Sequence, residues 1–174
     1  CPEMSRLELE TIGARVGSDV AFCLRGGTCL AQGRGERLTD LSPLPECAFV
    51  LCKPSFGLPT PALFARVDNQ DLGPRPDVDG MAAALERGDL SAVAARLGNV
   101  FEAVLAGEEA EAVAAIKRTL LRRGAMGAAM SGSGPTVFGI FPNCAAARGV
   151  YGDLIARYPQ TYLVSPVKKF RELE

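Results

Sequence analysis

The order of elements over the last two-thirds of this 174-residue chain predicts an α+β fold of the split βαβ, ferredoxin-like kind. Such a fold is an antiparallel sheet with helices on one face. Three observations carry the prediction. Short apolar runs of strand length fall at 48–52, 125–130, 136–141 and 161–164. Helical patterns separate the first run from the second and the third from the fourth. Only a glycine-rich turn separates the second from the third, so the order is β-α-β-β-α-β when the consecutive helices count as one crossover.

The elements follow from local pattern. Met4, Leu7, Ile12 and Val16 recur at helical spacing, with Gly17 as a stop; Leu9 lies off that face. After Ser18-Asp19 comes a short apolar turn over 20–24 and then Gly26-Gly27. Segments 28–32 and 36–38 flank Gly33-Arg34-Gly35 and read as a β-hairpin. Leu41-Ser42-Pro43-Leu44-Pro45 is a proline-spaced connector and the candidate domain boundary, dividing residues 1–46 from 47–174. The strand at 48–52 closes at Lys53-Pro54, and a helix over 60–67 follows, with Thr60 as N-cap and Pro61 at its first position. Three further helices are expected over 77–88, 90–106 and 108–123, separated by Gly88-Asp89 and Gly107. The remaining strands enclose a helix over 144–158.

Composition excludes several classes. Hydrophobic residues make up 48% and charged residues 22%, the balance of an ordinary globular protein. A formal net charge of −1 argues against nucleic acid or an anionic membrane as partner, since both demand a basic patch. No apolar run approaches membrane-spanning length. Six cysteines at 1, 23, 29, 47, 52 and 144 make no C-x-x-C pair, and the chain has no histidine, which argues against a zinc site. Cys23, Cys29, Cys47 and Cys52 lie in apolar, strand-like surroundings. They read as reduced thiols of a cytoplasmic protein, there being no signal peptide. The chain opens at Cys1 directly into a helical pattern, which reads as a truncated beginning.

Two motifs carry chemistry. Asp19, just past a helix end, is either a turn residue or a carboxylate that orients a substrate hydroxyl and takes its proton. Ser131-Gly132-Ser133-Gly134-Pro135 is either a hairpin turn or a stretch of bare backbone amides that cradles an anion. A base and an anion cradle are two parts of a phosphoryl-transfer site, and Asp19 is expected to share one phosphate-sized space with the amides near Gly132. No Lys-Ser or Lys-Thr follows the glycines, and no H-R-D or D-F-G set occurs, which excludes P-loop and protein-kinase mechanisms. Phe64, one turn into its helix, reads either as core or as a ligand platform.

Gly17-Ser18-Asp19-Val20, then Gly26-Gly27-Thr28 with Gly33-Arg34-Gly35-Glu36, then Lys53-Pro54 through Gly57 to Thr60, then Ser131-Gly132-Ser133-Gly134-Pro135-Thr136-Val137-Phe138 occur in one order. Together they resemble the GHMP small-molecule kinases, most closely the branch that acts in non-mevalonate isoprenoid synthesis. The resemblance implies a GHMP kinase C-terminal domain with extra helices over 47–174, with 1–46 as the tail end of an S5-like N-terminal domain. It implies transfer of the ATP γ-phosphate, with Mg2+ expected in the full-length enzyme, to the tertiary hydroxyl of CDP-linked methylerythritol. Asp19 matches the family's catalytic aspartate, Thr60 and Phe64 its substrate side, and Ser131, Gly132, Ser133 and Gly134 its phosphate-proximal glycine loop; no metal ligand is implied within the chain. Ala21 stands where the family usually has proline. The paired lysine, the second cytosine-stacking aromatic and the serine-rich ATP loop have no counterpart in these 174 residues. Pro54-Ser55-Phe56-Gly57-Leu58 only echoes that loop. The chain alone is therefore expected to be inactive, and edges bared by truncation to promote self-association. The rival readings are a non-catalytic ferredoxin-like binding module and another GHMP kinase, for homoserine, mevalonate or a sugar.

Overall fold

The computed structural model describes residues 4–167, so Cys1 lies outside the described residues. The chain opens with α1 (Arg6–Val16), nucleated by a capping box. The Ser5 hydroxyl accepts from the Glu8 N–H at 3.3 Å, and the Glu8 carboxylate accepts from the Ser5 N–H at 2.8 Å. Residues 20–24 were expected as a turn, yet Val20–Arg25 forms a second helix, α2. Six residues do not hold a helix by propensity alone, and tertiary docking supplies the difference. Ala21 is buried, and α2 packs on α1 at Gly13, where an added Cβ would sit 2.9 Å from Leu24 Cδ1 and 3.0 Å from Val20 Cγ1. The apolar stripe of Met4, Leu7, Ile12 and Val16 faces away from this contact and is exposed.

The hairpin is present as β1 (Cys29–Gln32) against β2 (Arg37–Asp40), a separate two-stranded antiparallel sheet. Arg25 binds this first region together. Its guanidinium donates to Glu10 of α1 (Nε to Oε1, 3.0 Å) and to the Leu38 carbonyl of β2 (2.7 Å). Cys23, expected in strand-like surroundings, is exposed on α2 instead. Cys47 and Cys52 are buried free thiols.

The main sheet has the order β4-β5-β3-β6, built from β3 (Ala48–Lys53), β4 (Gly127–Met130), β5 (Val137–Phe141) and β6 (Gln160–Val164). Every neighbouring pair is antiparallel, as the split βαβ order requires. Strand alternation divides the core in two. Ala48, Val50, Cys52, Val137 and Phe141 point to one face, where Val113, Ile116 and Leu120 of α6 (Gly107–Arg122) and Ala147, Val150 and Leu154 of α7 (Cys144–Ile155) cover them. The spacing of 113, 116 and 120 is the helical period that places one apolar stripe on the sheet.

Two of the sequence expectations are corrected here. Helices were expected on one face, but Phe49, Phe138 and Ile140 point to the other. That face is covered by Ala84 and Leu85 of α4 (Val78–Glu86), Val93 of α5 (Leu90–Ala95), and Leu41 and Leu44 of the connector. The helix expected over 90–106 is broken into α5 and a 3₁₀ turn, Val100–Val104, with extended backbone at Asn99. The Asn99 side chain competes with helix by capping the next turn, accepting from the Phe101 N–H at 2.9 Å. A further helix, α3 (Thr60–Asp68), lies against this 3₁₀ turn. Among the described residues no helix is long and apolar enough to cross a membrane.

Candidate functional site

Asp19 occupies the junction between α1 and α2. Gly17 ends α1, and its carbonyl accepts from the Val20 N–H at 3.1 Å. Asp19 therefore becomes the N-cap of α2, but its carboxylate makes no capping bond and is exposed. The hairpin turn packs beside it: a Cβ on Gly35 would lie 3.1 Å from the Ser18 carbonyl oxygen.

The glycine loop joins β4 to β5. Ser131 N–H donates to the Thr136 carbonyl (2.8 Å) and Gly134 N–H to the Ser131 carbonyl (2.9 Å), which closes the turn. Gly132 and Gly134 have φ of 55° and 73°, the left-handed region that a glycine occupies without strain. Gly134 is also confined, since a Cβ there would lie 2.3 Å from Met130 Sδ. The loop is thus a hairpin turn, and a more tightly held one than a two-residue connection requires.

Thr60 does not act as the expected N-cap. Pro59 holds that position and Thr60 is the first residue of α3, with Pro61 second. The Thr60 hydroxyl instead shares a 2.7 Å hydrogen bond with the Ser133 hydroxyl of the glycine loop. One turn later Phe64 is 52% exposed, so it is not a core residue. Its ring meets Phe101 edge-on, with centroids 5.0 Å apart and planes at 88°, which fixes the ring while leaving area open. Arg66 anchors the same helix by donating to Glu109 of α6 at 2.7 Å. That hydrogen bond holds the Glu109 carboxyl below the usual carboxylate range.

Three residues of this region were not singled out from the sequence. Asn99 Nδ2 donates to the Met130 and Gly132 carbonyls, both at 2.8 Å. The Glu102 carboxylate accepts from the Met130 N–H at 2.7 Å and is paired with Lys117 of α6. Gly98-Asn99 inside an expected helix was the available signal, because glycine followed by asparagine marks a break.

The structure thus brings Thr60 to Ser133 of the loop Ser131, Gly132, Ser133 and Gly134, while Phe64, one turn further along α3, packs on Phe101. Among the described residues no hydrogen bond or ion pair joins Asp19 to that loop. A cavity of about 460 Å³ with mainly apolar walls lies between the hairpin and the α4–α5 face of the sheet, and its lining includes neither Asp19 nor Thr60, Phe64 or any of Ser131, Gly132, Ser133 and Gly134. Phe22, one turn beyond Asp19, lines it from α2; Gly98, next to Asn99, lines it from the other side. No cluster of three or more His, Cys, Asp or Glu side chains among the described residues is placed to hold a metal ion.

Residues 81–160, running from α4 through β4, β5 and α7 to the start of β6, match the family "GHMP kinases C terminal". Among individual proteins the chain is similar to 4-diphosphocytidyl-2-C-methyl-D-erythritol kinase of Lachnospira eligens, 43% identical over 136 residues, covering 78% of this chain and 47% of that one. It is also similar to the kinase of the same name from Bacillus licheniformis, 39% identical over 172 residues, covering 99% of this chain and 59% of the relative. A crystal structure of 4-(cytidine 5'-diphospho)-2C-methyl-D-erythritol kinase superposes with a TM-score of 0.75 at 29% identity, over 94% of this chain and 57% of that one. A homoserine kinase from Cytophaga hutchinsonii superposes at 0.73 with 19% identity, over 96% of this chain and 59% of its own, a likeness of fold alone. The chain spans about half the length of the curated relatives it matches.

Proposed function

We propose that the chain is part of an ATP-dependent kinase that phosphorylates the 2-hydroxyl of 4-diphosphocytidyl-2-C-methyl-D-erythritol, a step of non-mevalonate isoprenoid synthesis. The observation that carries this reading is the Thr60–Ser133 hydrogen bond. It joins the helix bearing an exposed aromatic ring to a loop of bare amides. A cytidine-linked alcohol destined for phosphorylation requires these two surfaces side by side.

In this reading Asp19 orients the acceptor hydroxyl and takes its proton, Phe64 offers a face to the cytosine, and the glycine loop faces the phosphates. Residues 1–46 belong to the first domain of the kinase and 47–174 to the second. Phosphoryl transfer asks little covalent chemistry of the protein, so alignment and charge stabilisation supply most of the rate. Among the described residues no cluster of carboxylates is placed to hold the magnesium of ATP.

The test measures transfer of labelled γ-phosphate from ATP in the protein encoded by the complete reading frame. CDP-methylerythritol is expected as acceptor, with homoserine and mevalonate inert. Phe64→Ala raises the acceptor KM while leaving that for ATP in place. Loss of one base–aromatic stack amounts to about 1–3 kcal/mol, or roughly 5- to 150-fold. Asp19→Asn lowers kcat by about 10²-fold or more. Transfer to homoserine or mevalonate instead, or indifference to Phe64→Ala, refutes the reading.

A further inference from the structure

Resting on the kinase reading above, we propose that Asn99 is a positioning residue, which holds the glycine loop so that the Gly132 and Ser133 N–H groups face a nucleotide phosphate. The donors of the loop divide unequally. Ser131 N–H and Gly134 N–H are committed to the Thr136 and Ser131 carbonyls, and Pro135 has no N–H. Gly132 and Ser133 are left, and among the described residues neither N–H has a protein acceptor. Two successive amides beside a left-handed glycine form the concave donor pair that binds anions. A Cβ built on Gly132 meets nothing within 4 Å, so this side of the loop is open to a ligand.

A donor pair alone is not a cradle, because carbonyl oxygens beside it repel an anion. Asn99 answers this directly. Its Nδ2 takes the Met130 and Gly132 carbonyls, at the start and middle of the loop. Its Oδ1 accepts from Phe101 N–H, so the amide has one orientation: flipped, it would set acceptor against acceptor twice. Glu102 reinforces the geometry by taking the Met130 N–H, and Lys117 of α6 holds Glu102. Because the Gly132 carbonyl is held toward Asn99, the N–H of Ser133 in the same trans peptide points the other way. Preorganised donors of this kind cost no reorganisation when charge develops.

Asn99→Asp separates the loop-holding role from the capping role. It keeps an oxygen for Phe101 N–H but sets a carboxylate against two carbonyls. Asn99→Ser, also a good cap but too short to reach the loop, is the second variant. In the complete enzyme, ATP is expected to move the Gly132 and Ser133 amide resonances of the wild type. In both variants that response is lost, and the KM for ATP rises about tenfold or more, as for one charge-assisted hydrogen bond. The KM for CDP-methylerythritol rises by less than that for ATP, because both variants keep the cap on Phe101 N–H and with it the ring against which Phe64 packs. Equal changes in both KM values, unchanged ATP binding in the two variants, or amides unmoved by ATP overturns the proposal. Transfer to a different alcohol with the same ATP-selective loss upholds the role of Asn99 and overturns the acceptor assignment instead.

Discussion

The same one-methyl change is expected to have opposite signs at two kinds of glycine in this fold. Gly127 lies on β4 under α5, where an added Cβ would sit 2.4 Å from the Ala94 carbonyl oxygen, 3.0 Å from its carbon and 3.1 Å from its Cβ. Ordinary contact begins near 3.4 Å, so α5 must retreat from the sheet by about 1 Å. The obstructing atom is main chain within a helix and has no rotamer to change. Overpacking of this kind costs about 1–3 kcal/mol, offset by about 0.4–1 kcal/mol from the stiffer unfolded chain. Gly127→Ala is therefore destabilising by about 1–2 kcal/mol, a fall in Tm of roughly 2–8 °C at this chain length. Gly149 and Gly152 lie within α7 with nothing near an added Cβ, and neither has positive φ. Alanine at either raises stability by about 0.5–1 kcal/mol through helix propensity alone. Urea titrations of the three variants read the differences as shifts in midpoint at constant slope. A Gly127→Ala variant as stable as wild type would refute the packing of α5 on β4. A loss at both α7 positions would refute that helix's open face.

Two further outcomes test separate parts of the structure. Because Arg66 holds the Glu109 carboxyl below its ordinary value, the contribution of that pair is complete above the unfolded carboxylate range. It fades as pH falls through the lowered folded value. Glu109→Gln should accordingly melt below wild type at pH 7 and converge with it in strong acid; a gap that persists at low pH sinks the assignment. Burial raises the Cys47 and Cys52 thiols above their ordinary value, whereas Cys23 and Cys144 are exposed. A thiol-specific label at pH 8 should then modify Cys23 and Cys144 in the native chain and reach Cys47 and Cys52 only on unfolding, as peptide mapping would show.

The main sheet was legible because its signals are local. Apolar runs such as 136–141 and glycine turns such as 131–135 specify strand and hairpin without reference to distant residues. The helix Val20–Arg25 was not legible, since it exists by docking on Gly13 of α1. Likewise the split between α5 and the 3₁₀ turn depends on an asparagine whose side chain is engaged 31 and 33 residues away. Phe64 could be read as core or platform from spacing alone, and its exposure beside Phe101 excludes the core reading.

By itself the sequence determined the order of strands, the family resemblance and the residue types available for chemistry, because each is written in spacing along the chain. Which groups meet was decided by tertiary structure alone. Thr60 pairs with Ser133 across 73 residues, and Asn99 turns the loop carbonyls aside, because the antiparallel sheet and the broken helix carry those segments to one place. Contacts of such separation depend on the closing of the whole sheet, and no local pattern records them.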